Sequence, residues 1–468
     1  MRKEQIRAAL QKDDRSLGIL LLVWLHRALL VIVMMAGVGW LHHSCVRFSM
    51  GGVAAVVFSY AALMVIMQRV YRAHEVGQVR VAELVMSQIL ANLVSLAIVY
   101  LGMALYLHQI FSALPMLVVL AVQSLLSCIW SLGANRYYFR NRRPSRTAVI
   151  YRDDESLQKI YGMPYFLDKY EVCRLIRDPK DDIEALRRQL EDCETVFSIG
   201  ITATLANGLA KLCLEMGIKG YFVPHLGHII LAGAEYMSAF SIPMLRVQRA
   251  GGHSGYRMFK RLFDFCAALA GIIITFPVMA LTALAIWLED RGPVMYRQIR
   301  LTKNGKRFSI LKFRSMSVNA ESDGVARLAG ENDIRITRVG RVIRSCRIDE
   351  LPQLFNILVG DMSIVGPRPE RPEIAEQYQQ TLPEFVLRLQ VKAGLTGLAQ
   401  VYGRYNTEPY NKLQMDLMYI NEMSLLKDLQ LILTTVKILF MKESAAGIKE
   451  GQTTVSGAPV GQSHETSA

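Results

Sequence analysis

Four long apolar stretches open the chain, near residues 17–41, 51–68, 81–107 and 109–132, with short polar or basic segments between them. Each is long enough, or nearly so, to cross a hydrocarbon core of about 30 Å as a helix. His26 and Arg27 interrupt the first stretch. They are expected either to face a neighbouring helix or to set a later helix start. Residues 1–16 are polar and basic, and no small-residue cleavage site follows a short apolar core, so no removable signal peptide is expected. The pattern predicts a four-helix transmembrane bundle over residues 1–145.

From residue 146 the period changes. Residues 146–151, 194–200 and 217–223 read as strands, and 154–162, 181–191 and 202–215 as helices. This alternation predicts a small α/β, Rossmann-like unit over 146–250. A dinucleotide site would place a glycine-rich turn after the first strand. Here that turn is Tyr151-Arg152-Asp153-Asp154-Glu155, so no dinucleotide is expected, and spacing, dimerisation or regulation are the roles left open.

A fifth apolar run, within 255–291, starts after Lys260 and Arg261 and closes at Glu289, Asp290 and Arg291. Pro277 stands in its middle and is expected to break the helix. A broken helix that enters and leaves one leaflet would keep the rest of the chain on the cytoplasmic side. Beyond it, residues 294–300 and 307–315 alternate with period two around Asn304-Gly305, a favoured hairpin pair. That period places Lys312 and Arg314 on one face, as a grip for a diphosphate or as partners of surface acids. The segment 391–404 reads as a loop and 409–422 and 424–441 as helices. The last of these is amphipathic and is expected to pack on the unit that precedes it or lie on the membrane. Beyond it the tail at 443–468 is small, polar and expected to be disordered.

Charge adds direction. The chain carries 54 Lys and Arg against 40 Asp and Glu, a formal +14, with 52% hydrophobic residues. The N-terminus, the segment with Arg69, Arg72 and Arg80, and the segment with Arg136, Arg140, Arg142, Arg143 and Arg146 hold the positive charge, which places both ends of the bundle in the cytoplasm. Such a balance fits an anionic membrane surface and phosphorylated substrates. No zinc-finger spacing or apolar-free basic helix is present, so nucleic acid is not an expected partner. The seven cysteines include no CxxC pair and no disulfide framework, as in a reducing compartment.

The chemistry gathers at Asp349-Glu350-Leu351-Pro352-Gln353. Pro352 suits a first helical turn, which places Asp349 at or near an N-cap, held ionised by the helix dipole. Lys312, Arg314, Arg341 and Arg344 precede the pair, and the stiff Gly366-Pro367-Arg368-Pro369 turn comes after it. Two carboxylates inside so much positive charge point to a phosphate ester handled with a divalent metal. The plainer alternative is a helix cap on a solvated basic face.

The runs Lys312-Phe313-Arg314-Ser315-Met316, Asp333 to Arg341, Asp349 to Gln353, Gly366-Pro367-Arg368-Pro369 and Gly394 to Gln400 succeed one another in the order of the bacterial sugar transferase family, which the chain resembles over about 255–442. The resemblance implies a membrane phosphoglycosyl transferase of the bacterial inner (cytoplasmic) membrane. Its re-entrant helix, broken at Pro277, would occupy 255–291 and an α+β catalytic domain 292–442, facing the cytoplasm. The implied reaction moves a hexose 1-phosphate from a UDP-sugar to undecaprenyl phosphate for exopolysaccharide, capsule or O-antigen assembly. Asp349 would be the nucleophile, Glu350 a Mg²⁺ ligand, and Lys312, Arg314, Arg341 and Arg368 the phosphate contacts. Many relatives carry Ser before the proline where this chain has Phe276. A catalytically silent scaffold of the same fold is the alternative, and a homodimer is left open.

Overall fold

The computed structural model describes residues 2–44, 49–179, 182–239, 242–249, 254–317, 333, 335–403 and 408–439. The expected disordered tail at 443–468 lies outside them. The chain divides into two compact units, Met1–Pro224 and His225–Ala468.

The first unit opens with α1 (Arg2–Ser44), α2 (Met50–Val70), α3 (Val81–Leu107) and α4 (Leu114–Asn141). All four contain stretches long and apolar enough to cross a membrane. α1 packs on α2 and α4, and α3 packs on the same two helices, so each helix has two neighbours. Leu30, Met34, Tyr60, Leu96 and Val119 fill the space between them. His26 and Arg27 do not delay the helix start: α1 is already helical, and both side chains turn into the bundle and are buried.

The rest of this unit alternates: β1 (Ser145–Tyr151), α5 (Asp154–Tyr161), α6 (Phe166–Lys169), β2 (Tyr170–Arg177), α7 (Ile183–Leu190), β3 (Thr195–Ile199), α8 (Ala203–Met216) and β4 (Lys219–Phe222). The strands form one sheet in the order β2-β1-β3-β4, and every pairing is parallel. Leu186, Leu190, Leu205 and Leu209 of α7 and α8 share a core with Ala148, Ile150 and Val196. Ile160 and Phe166 share another with Val149, Tyr151 and Phe197. Strand side chains alternate between faces, so these two cores lie on opposite sides of the sheet. Strand β2 is absent from the sequence reading because it is an edge strand, largely half-exposed, whose Glu171, Arg174 and Arg177 blur the apolar period. After β1, Asp153 caps α5 by accepting a bond from the Ser156 amide, which puts a carboxylate where a phosphate-binding turn would offer bare N–H groups.

The second unit contains α9 (Leu226–Ala232), β5 (Glu235–Ala239), β6 (Ile242–Arg246), α10 (Ser254–Asp290), β7 (Met295–Leu301), β8 (Arg307–Phe313), α11 (Arg338–Ser345), α12 (Gln353–Val359), β9 (Ser363–Val365), α13 (Pro372–Thr381), β10 (Gly394–Thr396), α14 (Leu398–Tyr402), α15 (Pro409–Asn421) and α16 (Leu425–Leu439). The boundary expected at residue 250 moves to 225. Leu226 and Ile229 of α9 enter the core formed by α10, α12, α15 and α16, and Asn421 Nδ2 donates to the Ile229 carbonyl at 2.6 Å. Strands β5 and β6 form an antiparallel hairpin that shows no clean apolar alternation.

Helix α10 is the long apolar run, about 55 Å at 1.5 Å per residue. The break expected at Pro277 is not a loss of helix: helical backbone runs through it, and the proline removes one bond, the one its missing N–H would make to the Ile273 carbonyl. Near its start, Arg261 Nη1 and Nη2 donate to the Ile357 and Leu358 carbonyls at 2.7 and 2.9 Å, and Asp264 accepts from the Ile364 amide at 3.1 Å. Near its end, Glu289 accepts from the Arg338 amide at 2.8 Å and Asp290 pairs with Arg314. Both ends of α10 are therefore tied to the same unit, while Ile273, Ile274, Phe276 and Leu281 between them are exposed.

Strands β7 and β8 form the expected hairpin, but the pairing closes at Leu301 and Arg307, so Asn304-Gly305 sits in a five-residue loop rather than a two-residue turn. Asn304 and Gly305 both take left-handed backbone, at φ +58° and +74°. Asn356 of α12 pins this hairpin: its Oδ1 accepts from the Leu311 amide at 2.9 Å and its Nδ2 donates to the Ser309 carbonyl at 2.8 Å. The segment read as a loop at 391–404 instead holds β10, paired parallel to β9, and the short α14. Glycine makes that pairing possible. A Cβ on Gly394 would stand 2.1 Å from the Gly366 backbone nitrogen and 2.5 Å from its carbonyl oxygen. Gly394→Ala is expected to cost about 3 kcal/mol, read as a lowered unfolding temperature, because only backbone lies in the way.

Helix α16 lays Leu431 into the core, and its Asp428 accepts from Lys260 Nζ at 2.6 Å and from the Tyr419 hydroxyl at 2.7 Å. Packing on the catalytic unit is thus the outcome for the amphipathic last helix.

Candidate active site

Helix α11 ends at Cys346, and the chain reverses through Arg347, whose φ of +53° is the left-handed conformation that glycine usually supplies at a helix end. A 3-10 turn over Ile348–Glu350 comes next and leads through Leu351 and Pro352 into α12. The Glu350 and Leu351 amides close that turn on the Arg347 and Ile348 carbonyls at 3.2 and 3.1 Å. Pro352 therefore occupies the cap of α12, and Asp349 lies three residues earlier, on the 3-10 turn rather than at the N-cap. The apolar residues flanking the acids hold the turn down: Ile348 and Leu351 pack on a cluster of Met279 and Ile286 from α10, Phe313 from β8 and Ile343 from α11. Asp349 and Glu350 thus sit directly over the C-terminal half of the long apolar helix.

The two carboxylates meet different surroundings. Glu350 Oε1 accepts from Lys312 Nζ at 2.9 Å and from Arg368 Nη2 at 2.9 Å. Burial alone would raise its pKa, but Lys312 and Arg368 outweigh it and hold the carboxyl well below the usual range. Asp349 takes no ion pair or side-chain hydrogen bond among the described residues. Burial, and then the Glu350 charge beside it, push its pKa up against the opposing pull of Lys312, Arg344 and Arg368. The expectation that a helix end holds Asp349 ionised is therefore reversed, because the residue lies outside the cap and beside a fixed negative charge.

Of the cations singled out in the sequence, Lys312 and Arg368 converge on Glu350. Arg314 does not join them: it lies one residue past β8 and its Nη2 pairs with Asp290. Its Nε and Nη1 are buried without a partner among the described residues. Arg341 is exposed on α11, with no side-chain hydrogen bond or ion pair among the described residues.

Behind Arg368 lies a buried charge network that the sequence pattern does not indicate. Arg388 donates through Nε and Nη2 to Asp416 Oδ2 at 2.8 and 2.7 Å, and through Nη1 to Glu370 at 3.4 Å. Lys412 Nζ meets the same Glu370 oxygen at 2.9 Å. Arg388 Nη2 also donates to the Arg368 carbonyl at 2.9 Å, and Arg300 Nη1 to the Pro369 carbonyl at 3.2 Å. The turn that carries Arg368 is thus held by its backbone from two sides, and its guanidinium is presented to Glu350. Adjacent Pro367 and Pro369 flagged this turn as rigid, whereas nothing local pointed to Arg388 or Asp416.

The site offers a divalent cation a seat on chemical grounds. Both cations fall on Oε1 of Glu350, Oε2 has no partner among the described residues, and Asp349 precedes Glu350 on the same 3-10 turn. Magnesium is commonly bound by one or two carboxylates together with substrate phosphates, which this pair can supply. No group of three or more His, Cys, Asp or Glu with metal-ligand geometry occurs among the described residues.

Comparison with known proteins agrees with this geometry. The family model described as bacterial sugar transferase matches residues 255–442. A UDP-N-acetylgalactosamine-undecaprenyl-phosphate N-acetylgalactosaminephosphotransferase of Aeromonas hydrophila is 42% identical over 187 residues, 39% of this chain and 44% of that protein. A UDP-glucose:undecaprenyl-phosphate glucose-1-phosphate transferase of Caulobacter vibrioides is 44% identical over 191 residues, 40% of this chain and 71% of that protein. A galactosyl transferase of Streptococcus agalactiae is 34% identical over 338 residues, 66% of this chain and 74% of that protein. The chain spans less than half the length of the Aeromonas protein, but about three quarters of the streptococcal one. The matched region holds the Asp349 turn, the two cations on Glu350 and the long apolar helix beneath them, and the chain belongs to the bacterial sugar transferase family.

Proposed function

We propose that the protein is a membrane phosphoglycosyl transferase that moves a hexose 1-phosphate from a UDP-sugar to undecaprenyl phosphate, releasing UMP, at the start of polysaccharide repeat-unit assembly. The observation that carries this reading is the asymmetry of the acid pair: Glu350 is locked by Lys312 and Arg368, while its neighbour Asp349 is half-buried and left without a direct partner among the described residues.

In this reading an Asp349 carboxylate oxygen attacks the sugar-bearing β-phosphorus. The bond from that phosphorus to the bridging oxygen breaks, UMP leaves with the oxygen, and the sugar phosphate remains on Asp349 as an acyl phosphate. A phosphate oxygen of the lipid then attacks the same phosphorus, and the Asp349 carboxylate leaves. Lys312 and Arg368 stabilise phosphate charge in both steps. Arg341, from α11, and Arg314, beside Asp290, are assigned further phosphate contacts. Glu350, with Asp349, would hold Mg²⁺, which would offset charge on the diphosphate. Raised pKa suits Asp349 as a nucleophile, since a more basic carboxylate attacks more readily once ionised.

The lipid must reach this pair from the bilayer. Both ends of α10 tie to the catalytic unit and its exposed apolar residues lie between them, which supports a helix that enters and leaves one leaflet by bending at Pro277. Positive charge at Arg69, Arg72, Arg80 and Arg136 to Arg146 supports a cytoplasmic catalytic domain in the bacterial inner membrane.

The relatives' names specify three different sugars, so the donor is open, with glucose and galactose leading and N-acetylated sugars behind. UMP release from a panel of UDP-sugars, with Mg²⁺ and with or without undecaprenyl phosphate, tests the reading. Turnover on one donor that requires the lipid is the expected result, and no turnover on any donor with folded protein would defeat it. In the same assay Lys312→Met should lower kcat on the order of 10²-fold, the usual cost of one preorganised charge-stabilising group.

A further inference from the structure

The N-terminal bundle buries a polar chain that the transferase reaction does not use. Arg27 of α1 is 92% buried, at 8% exposure, yet no Asp or Glu bonds to it among the described residues. Its Nε donates to Gln68 Oε1 at 2.8 Å. Gln68 Nε2 donates in turn to Gln88 Oε1 at 3.1 Å, and Gln88 Nε2 ends the chain on the Ala73 carbonyl at 2.7 Å. The relay fixes the guanidinium by one nitrogen. Nη1 and Nη2 have no partner among the described residues. A bare cation at this position is costly, and two fixed N–H edges match the oxygens of one phosphate.

Those edges border a groove. Trp24, Arg27, Ala28, Val31 and Ile32 of α1 and Ala61, Met64 and Val65 of α2 line a space of about 420 Å³. Apart from the one cation it is apolar, and the Arg27 guanidinium rests over the Trp24 ring at 4.9 Å. Its depth is set by the relay. Gln68 lies two residues before the end of α2 and Gln88 seven after the start of α3, about 3 and 10 Å along the helices. Arg69, Arg72 and Arg80 cluster at this end of the bundle. Arg27 is therefore near headgroup level, and Val31, Ile32 and Ala61 continue the groove toward the bilayer centre, as a lipid chain would run.

We propose that this groove binds one anionic glycerophospholipid of the adjoining leaflet, its phosphodiester on Arg27 and an acyl chain between α1 and α2. Charge selects this occupant. One guanidinium balances a singly charged phosphodiester, whereas a doubly charged lipid monophosphate calls for a second cation, and the next one along α2, Arg69, is exposed and does not line the groove. The groove is built from residues of the first unit alone, and the proposal holds whether or not the reading of the Asp349 pair is right.

The test is native mass spectrometry of the full-length, delipidated chain titrated with phosphatidylglycerol, phosphatidylethanolamine and undecaprenyl phosphate. The wild type should take one phosphatidylglycerol in preference to the other two. Arg27→Gln removes the cation, and Ala61→Phe fills the groove while leaving the Arg27–Gln68 bond in place. Arg27→Gln should weaken that binding about fivefold, the effect of one lost charge contact at a membrane surface, and Ala61→Phe should weaken it at least as much by taking the space of the acyl chain. Should Arg27→Gln fail to fold, Ala61→Phe alone decides. Equal binding by wild type and Ala61→Phe, equal binding of phosphatidylethanolamine, or tighter binding of undecaprenyl phosphate would each overturn the proposal.

Discussion

Asp349→Asn is expected to abolish lipid-dependent UMP release, by on the order of 10⁴-fold or more, because an amide cannot form the acyl phosphate. The same substitution should leave the fold intact and raise its stability at neutral pH. Burial and the adjacent Glu350 charge raise the Asp349 pKa. A carboxyl whose folded pKa lies above its unfolded one adds relative stability in acid, fully present below the unfolded value and lost as pH rises through the folded value. At neutral pH the native state therefore bears an unfavourable, partly desolvated charge beside Glu350, and asparagine removes it. The difference in unfolding temperature between wild type and Asp349→Asn should shrink toward zero as pH falls below the ordinary carboxylate range. A variant that is inactive and less stable at neutral pH would show that Asp349 serves the fold instead. The raised pKa also makes activity fall on the acid side at a higher pH than an ordinary carboxylate would dictate.

Arg388→Met should be the most destabilising single change in the catalytic unit, at about 3–5 kcal/mol, the cost of leaving a buried ion pair half-formed. Arg388 is almost fully buried and serves Asp416, Glu370 and the Arg368 carbonyl together. Without it Asp416, already raised in pKa by burial against the pull of Arg388, would have to protonate. Glu370 shows the opposite balance: burial raises it, but Lys412 and Arg388 bring it down to about 2. Its contribution to stability is present above the unfolded carboxylate pKa and is lost as pH falls from there through the folded value. Thermal unfolding of the purified variant gives the magnitude, and a loss under about 1 kcal/mol would contradict it. Activity should fall as well, since the Arg368 carbonyl loses the side chain that holds it.

The contrast between these two residues shows what a linear sequence carries. Asp349 and Glu350 were legible because adjacent acids, a following proline and a basic run are local features. The hairpin of β7 and β8 and the four apolar helices were legible for the same reason, as period and charge repeat over short windows. Arg388, Glu370, Lys412 and Asp416 are spread over 47 positions with no period linking them, and only the packing of α15 against the Pro383–Gln390 turn brings them together. For Arg314 the sequence left two fates open, a phosphate grip beside Lys312 or an acid partner, and only the structure selects the second: β8 ends at Phe313 and Asp290 lies within reach. The pKa direction of Asp349 depended on a turn three residues longer than the proline implied, and the place of α9 on contacts with a helix almost 200 residues away.

The most direct test of the central claim is a single-turnover experiment without lipid. Enzyme mixed with its UDP-sugar and Mg²⁺, in the absence of undecaprenyl phosphate, should release UMP in a burst of up to one equivalent. Intact-mass and peptide analysis should then find one hexose phosphate on the peptide that contains Asp349, discharged when the lipid is added. UMP that appears only once undecaprenyl phosphate is present, with no adduct on that peptide, would contradict the covalent route.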